Sequence, residues 1–215
     1  MIRIYRTPEP PPSLAVEKAK ADGSYREPDV IAQLALDFHN KCYLCEIDEL
    51  QSVEVEHLRP HGGDKELKFD WNNLFFSCPH CNSVKNQKKY HGMILDCCQT
   101  DPEAVFMQRF MENHVSVQPI GATKEAAMTA ELLTECFEKT NTGIRVIESQ
   151  TRVNALNKTM NLLYKALEQY RKAPSGHVLR TLRGMLSRSY RFSGFTRTYV
   201  REHLQDYPGL SVLVS

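Results

Sequence analysis

The spacing of hydrophobic positions changes several times along the chain, and each change predicts a different element. Ile2 to Tyr5 reads as a short strand. The run Pro8, Pro10, Pro11, Pro12 then stops it, because proline fixes φ and donates no hydrogen bond. That run reads as a tether or surface arm. Ser13 is an N-cap for a helix to about Ala21, and Ile31, Leu34, Ala35 and Phe38 fall at helical spacing within a second helix over Asp29–Phe38. The alternation in VEVEHL, residues 53–58, suits a strand. Gly62-Gly63 breaks it, a polar loop reaches Trp71, and a helix runs from Asn82 to its end at His91 and Gly92.

Farther along, Ala104–Phe110 and His114–Ile120 read as two short strands joined at Glu112-Asn113. Helices follow. Thr123–Lys139 carries Met128, Leu132, Leu133, Cys136 and Phe137 on one side. Ile144–Arg171 has Val146, Val153, Leu156, Met160, Leu163 and Leu167 as its apolar stripe, and Pro174-Ser175-Gly176 ends it. At least one more helix runs from His177 to about Tyr190.

Two Cys-x-x-Cys pairs sit inside this pattern. Cys42 with Cys45, and Cys78 with Cys81, supply the four thiolates that a tetrahedral structural zinc takes, and such a site is closed to catalysis. Between and beside them stand Glu56, His57, Asn73 and Asn82, which a zinc scaffold does not need. Imidazole titrates near neutral pH, so His57 is a candidate general base. An amide oxygen at Asn82 and a carboxylate at Glu56 are hard ligands suited to Mg2+ or Mn2+. Asn82 also reads as a helix cap. Glu56 and His57 are neighbours on a strand and should face opposite ways.

Composition narrows the class. A formal net charge of +1 over 215 residues means that any phosphate-gripping surface is local. Seven cysteines, an odd count, after the start MIRIYRTPEPPP point to a reduced, cytoplasmic protein and not a disulfide frame. No stretch approaches the roughly 20 apolar residues of a membrane span.

The residues KCYLCE, Glu56-His57 with Pro60, Trp71-Asn72-Asn73-Leu74 and CPHCNSVK (Cys78–Lys85) resemble the HNH endonuclease family. Within it they are most similar to the PtuB-like nuclease subunits of Septu and retron-associated anti-phage systems. The resemblance implies an α+β fold: a ββα-metal core with a structural zinc held by a pair of cysteine knuckles, flanked by N-terminal helices and a mostly helical C-terminal region. It implies His57 as the base, Asn73 as its orienter, and Glu56 with Asn82 as ligands of a catalytic Mg2+ or Mn2+. Glu54, on the same face as Glu56, is a competing ligand. The expected substrate is nucleic acid, DNA ahead of RNA, and the expected partner is an ABC-type, PtuA-like ATPase subunit. A zinc-ribbon module that binds nucleic acid or protein without cutting is the alternative.

The expected organisation is an N-terminal arm over residues 1–28, a nuclease core over 29–95, and a hairpin plus helical docking region over 96–215. Lys85 reads equally as a phosphate contact and as a solvated lysine. His61 and His80 read as surface-loop residues able to touch substrate, Trp71 as core, and Cys97, Cys98 and Cys136 as ordinary thiols. Residues 171–201 hold Arg171, Lys172, Arg180, Arg183, Arg188, Arg191, Arg197 and Arg201 with no acidic residue. At helical spacing Arg180, Arg183, Arg188 and Arg191 share one side and Val178, Leu182, Met185 and Leu186 the other. This surface grips phosphate, docks a partner, or is a solvated face balanced by the acidic helix over 125–138. Docking is favoured, because the resemblance implies a partner.

Overall fold

A computed structural model describes residues 1–48, 50–138 and 143–215, with the side chains of 143–145 left aside. Helix α1 spans Pro12–Ala19 and α2 spans Pro28–Asp37; each starts with proline in its first turn, where a missing N–H costs nothing. Ser13 lies inside α1 and does not cap it; its hydroxyl donates to Asp29 across to α2. Beyond α2, His39 and Asn40 take left-handed φ of 56° and 55°, turning the chain into the first knuckle.

The unit around the two cysteine pairs is a two-stranded antiparallel sheet and a helix. β1 (Glu54–His57) pairs with β2 (Leu74–Ser77) in a register that sets Glu56 opposite Phe75 and His57 opposite Leu74. The intervening loop carries a short helix α3 (Lys65–Lys68), capped by Asp64. Helix α4 covers Pro79–Lys85, capped by Cys78, so it begins three residues before the expected Asn82 and stops well before His91. Trp71 is core: its ring is buried, its Nε1 donates to the Thr7 carbonyl at 2.8 Å, and the Arg6 guanidinium lies 4.4 Å over it.

The hairpin forms as expected. β3 (Phe106–Met111) and β4 (His114–Pro119) are joined by Glu112 and Asn113, both at positive φ, as a tight turn between right-twisted strands requires. Then follow α5 (Lys124–Phe137), capped by Thr123, α6 (Gly143–Lys172), α7 (Gly176–Met185), α8 (Ser193–Glu202) and α9 (Ser211–Val214). Lys139, the expected end of α5, lies outside the described residues. Along α6, Val153, Leu156, Met160, Leu163 and Leu167 are buried, while Val146 is 45% exposed and leaves the expected stripe.

The structure corrects the reading of both ends of the chain. Ile2–Tyr5 is not a strand, and the residues expected as an arm pack inward: Met1, Ile2 and Ile4 are buried, and the Ile4 N–H donates to the Cys97 carbonyl. At the other end α7 stops at Met185, so Arg188 and Arg191 do not continue its basic face. Arg188 pairs with Asp101 and Glu103, Arg191 with Asp48, and Arg197 and Arg201 with Glu103. The balancing acids therefore come from the 48 and 101–103 loops and not from α5. Arg180 and Arg183 stay exposed on α7, but its apolar side, Val178, Leu182 and Met185, is buried within the fold and offers no free docking face. No described helix is long and apolar enough to cross a membrane.

Candidate active site

Four sulfur atoms come together first. The Sγ atoms of Cys42, Cys45, Cys78 and Cys81 all lie within 4.8 Å of one another and all four residues are buried. This donor set, four soft thiols at tetrahedral spacing, fits zinc. Its charge is answered from afar, for Arg152 on α6 is buried and its Nη2 donates to Cys78 Sγ at 3.0 Å. Burial works against the guanidinium charge, but the cysteine sulfurs outweigh it and hold the Arg152 pKa above the usual arginine range. His80 is no substrate contact: it is buried, with Nδ1 2.7 Å from Glu148 and Nε2 3.0 Å from the Cys136 carbonyl, tying α4 to α5 and α6.

An open cleft of about 430 Å3 lies alongside this scaffold. His57, His61, His91, Asn82 and Asn86 line it, with Tyr25 and Arg26 as part of its wall. His57 Nε2 is 3.0 Å from the Lys68 carbonyl, which can only accept. The neutral ring therefore carries its proton on Nε2 and keeps the Nδ1 lone pair for another partner. Burial lowers the His57 pKa below the ordinary imidazole value, the charges of His61, Lys85 and Arg26 lower it further, and the Lys68 contact opposes them. The Tyr25 ring meets His57 edge-on at 4.5 Å, and the His61 ring lies 4.8 Å away.

Asn73 touches the loop and not the imidazole. Its Nδ2 donates to the Arg59 and Leu67 carbonyls and its Oδ1 accepts from the Arg59 N–H. Leu67 precedes Lys68, so Asn73 fixes the backbone that holds His57. Asn82 lies inside α4 and is not its cap; its side-chain oxygen is 3.4 Å from Asn86 Nδ2.

Glu56 and His57 both line the cleft, but Glu56 is buried while His57 is only partly so. Glu56 is buried, with Oε1 bonded to the Tyr43 hydroxyl and 2.9 Å from Lys85 Nζ. Oε2 is equally buried and has no hydrogen-bond partner. Burial raises the Glu56 pKa to about 7 against the pull of Lys85 and Tyr43. Lys85 is thus neither solvated nor free for phosphate: it is 2% exposed, and its ammonium also donates to the His57 carbonyl at 2.8 Å. Glu54 is partly exposed and pairs with Arg26.

This strand pair, helix and histidine fall within one matched segment. Residues 42–88 match the HNH endonuclease family model. No curated protein matches the chain. The HNH segment starts at the first zinc-site cysteine and takes in His57, Asn73, Asn82 and Lys85. Tyr25, Arg26 and His91 lie outside it, and sequence reading missed the first two because nothing local marks them. Only the turn at Gly23 hints at their placement: a Cβ there would meet the Glu17 carbonyl oxygen at 1.8 Å.

Proposed function

We propose that the chain is a metal-dependent endonuclease that hydrolyses phosphodiester bonds, with His57 as general base. The observation that carries this is the Nε2 contact to the Lys68 carbonyl, which leaves Nδ1 as the proton acceptor of a ring lining an open cleft. In this reading Nδ1 takes the proton of the water that attacks phosphorus. Asn73 keeps the Lys68 carbonyl in place, and Lys85 ties the end of β1 to α4, so base and Asn82 face one cleft. A hard divalent ion, Mg2+ or Mn2+, fits Glu56 Oε2, a buried acceptor with no partner, together with the Asn82 amide oxygen. Such an ion would neutralise charge on the phosphoryl oxygens.

DNA is expected ahead of RNA as substrate, and the cleavage experiment decides between them. The resemblance to PtuB-like nucleases supports an anti-phage effector role beside an ABC-type ATPase partner, and the cysteine usage supports a cytoplasmic location. The experiment is cleavage of duplex DNA, single-stranded DNA and RNA by the purified protein, alone and with its operon neighbour, in Mg2+, Mn2+ or chelator. Metal-dependent cutting that favours DNA supports the reading. Binding without cutting under every condition would instead make the domain a zinc-based binding module.

A further inference from the structure

We propose that Tyr25 and Arg26 complete the cleft from outside the HNH segment: Arg26 binds a substrate phosphate flanking the scissile one, and Tyr25 is a positioning residue for His57. This rests on the phosphodiesterase reading above. The two residues are held in place from several directions. The turn before them packs Gly23 onto the Glu17 backbone and gives the Ser24 N–H to Glu17 Oε2 at 3.0 Å. Lys65 and Lys68 of α3 donate to the Lys20 and Gly23 carbonyls, both at 2.8 Å, which moors the turn to the loop that also holds His57.

From this mooring the Tyr25 ring packs T-shaped against the His57 imidazole, and the Arg26 guanidinium stands 5.2 Å from the Tyr25 ring. Arg26 is half exposed, and one of its nitrogens lies 3.3 Å from Glu54. A guanidinium has five N–H donors in a flat fork, so the Glu54 contact aims the group and leaves donors for a phosphate. The ion pair with Glu54 is weak because water screens it, and a phosphate can share or displace it. His61 and His91 line the same cleft. The Arg26 rim thus adds a permanent cation where the catalytic residues supply none that is free, since Lys85 is already bound to Glu56 and the His57 carbonyl.

Binding decides the Arg26 part, measured with labelled duplex DNA over a series of salt concentrations on the His57→Ala protein, which the proposed function expects to hold DNA without cutting it. Adding Arg26→Ala should weaken binding about tenfold, as loss of a charged hydrogen bond does. It should also make the log–log salt slope shallower by about 0.9, the value for one lost phosphate contact. Arg26→Lys should recover part of the loss. Glu54→Gln, which removes the same ion pair but keeps the guanidinium, should bind at least as tightly as its parent. Unchanged affinity and slope in Arg26→Ala, or an equal loss in Glu54→Gln, would overturn the contact. For Tyr25 the readout is cleavage by the otherwise wild-type chain: Tyr25→Ala should lower kcat with KM unchanged, and Tyr25→Phe should restore it because the contact is made by the ring. A Tyr25→Phe protein as slow as Tyr25→Ala overturns the positioning role. A wild-type protein that binds DNA but never cuts sinks the nuclease reading and the Tyr25 role, while Arg26 is still decided by binding. A protein that neither binds nor cuts overturns all of it.

Discussion

The side chain that changes most between sequence and structure is Lys85. Its position one turn beyond Asn82 was legible, but the direction of its stem was not, because helical spacing alone does not say which groove a long side chain enters. It is a buried cation locked between Glu56 and the His57 carbonyl. Lys85→Met should therefore cost about 3–5 kcal/mol, since it strands a buried carboxylate, and Glu56→Gln in the same protein should regain part of it. Denaturant melts of the two variants check this; a single variant as stable as wild type would contradict it. The base itself yields a second expectation. In the proposed role His57 acts in its neutral form, and burial lowers its pKa below 6.5, so the neutral ring persists into mildly acidic solution. Cleavage should stay flat through neutral pH and fall only below about 6.5, as the pH profile of kcat/KM will show; an acid limb centred above that value would contradict the burial of the ring.

Most elements were readable where the signal was local, the Ile2–Tyr5 strand and the Asn82–His91 helix bounds excepted. The four-cysteine cluster follows from two Cys-x-x-Cys spacings, and the β3–β4 hairpin from alternation around Glu112-Asn113, whose backbone takes the turn conformation. What joins elements was not readable. Arg152 lies 74 residues from Cys78, and no spacing rule links them. The face of α7 was half right: its amphipathic division holds, yet Leu182 and its neighbours are already buried in the fold, so substitution there reports on folding and not on docking. Arg152 gives the prediction at this scale. A guanidinium bonded to a zinc-binding sulfur disperses the charge of the thiolates, and outer partners of this kind are typically worth about 10–100-fold in metal affinity. Arg152→Met should release zinc to a chelator at least about tenfold more readily, with Arg152→Lys intermediate. Equal release by all three proteins would confine the role of α6 to packing.

Across the molecule, the N-terminal and C-terminal segments are bound to the core through two buried carboxylates that sequence reading did not single out. Glu46 accepts the Met1 amino group at 2.8 Å, the Ser193 hydroxyl at 2.7 Å and the Gly194 N–H, with Lys41 at 3.4 Å; Glu103 gathers Arg188, Arg197 and Arg201. A glutamate in a polar stretch gives no sign that distant cations will converge on it. Burial would raise the Glu46 pKa, but the Met1 ammonium and Lys41 outweigh it and hold it at about 2. Because its unfolded value is near 4.5, Glu46 adds stability above that pH and loses it as the pH falls towards 2. Glu46→Gln should cost about 3–5 kcal/mol at neutral pH and show a weaker acid dependence of stability than wild type. Melting curves from pH 7 to pH 2 test both.

The central claim is that a folded HNH segment, built on a closed thiolate site, presents His57 as the base of a nuclease. Its most direct test is Mg2+-dependent cleavage of duplex DNA by wild type and His57→Ala, with zinc content and melting temperature measured on the same samples. The expected result is a rate lower by about 10²–10⁴ with one zinc per chain and little change in melting temperature. Cleavage by His57→Ala at the wild-type rate, or loss of zinc from that variant, would contradict it.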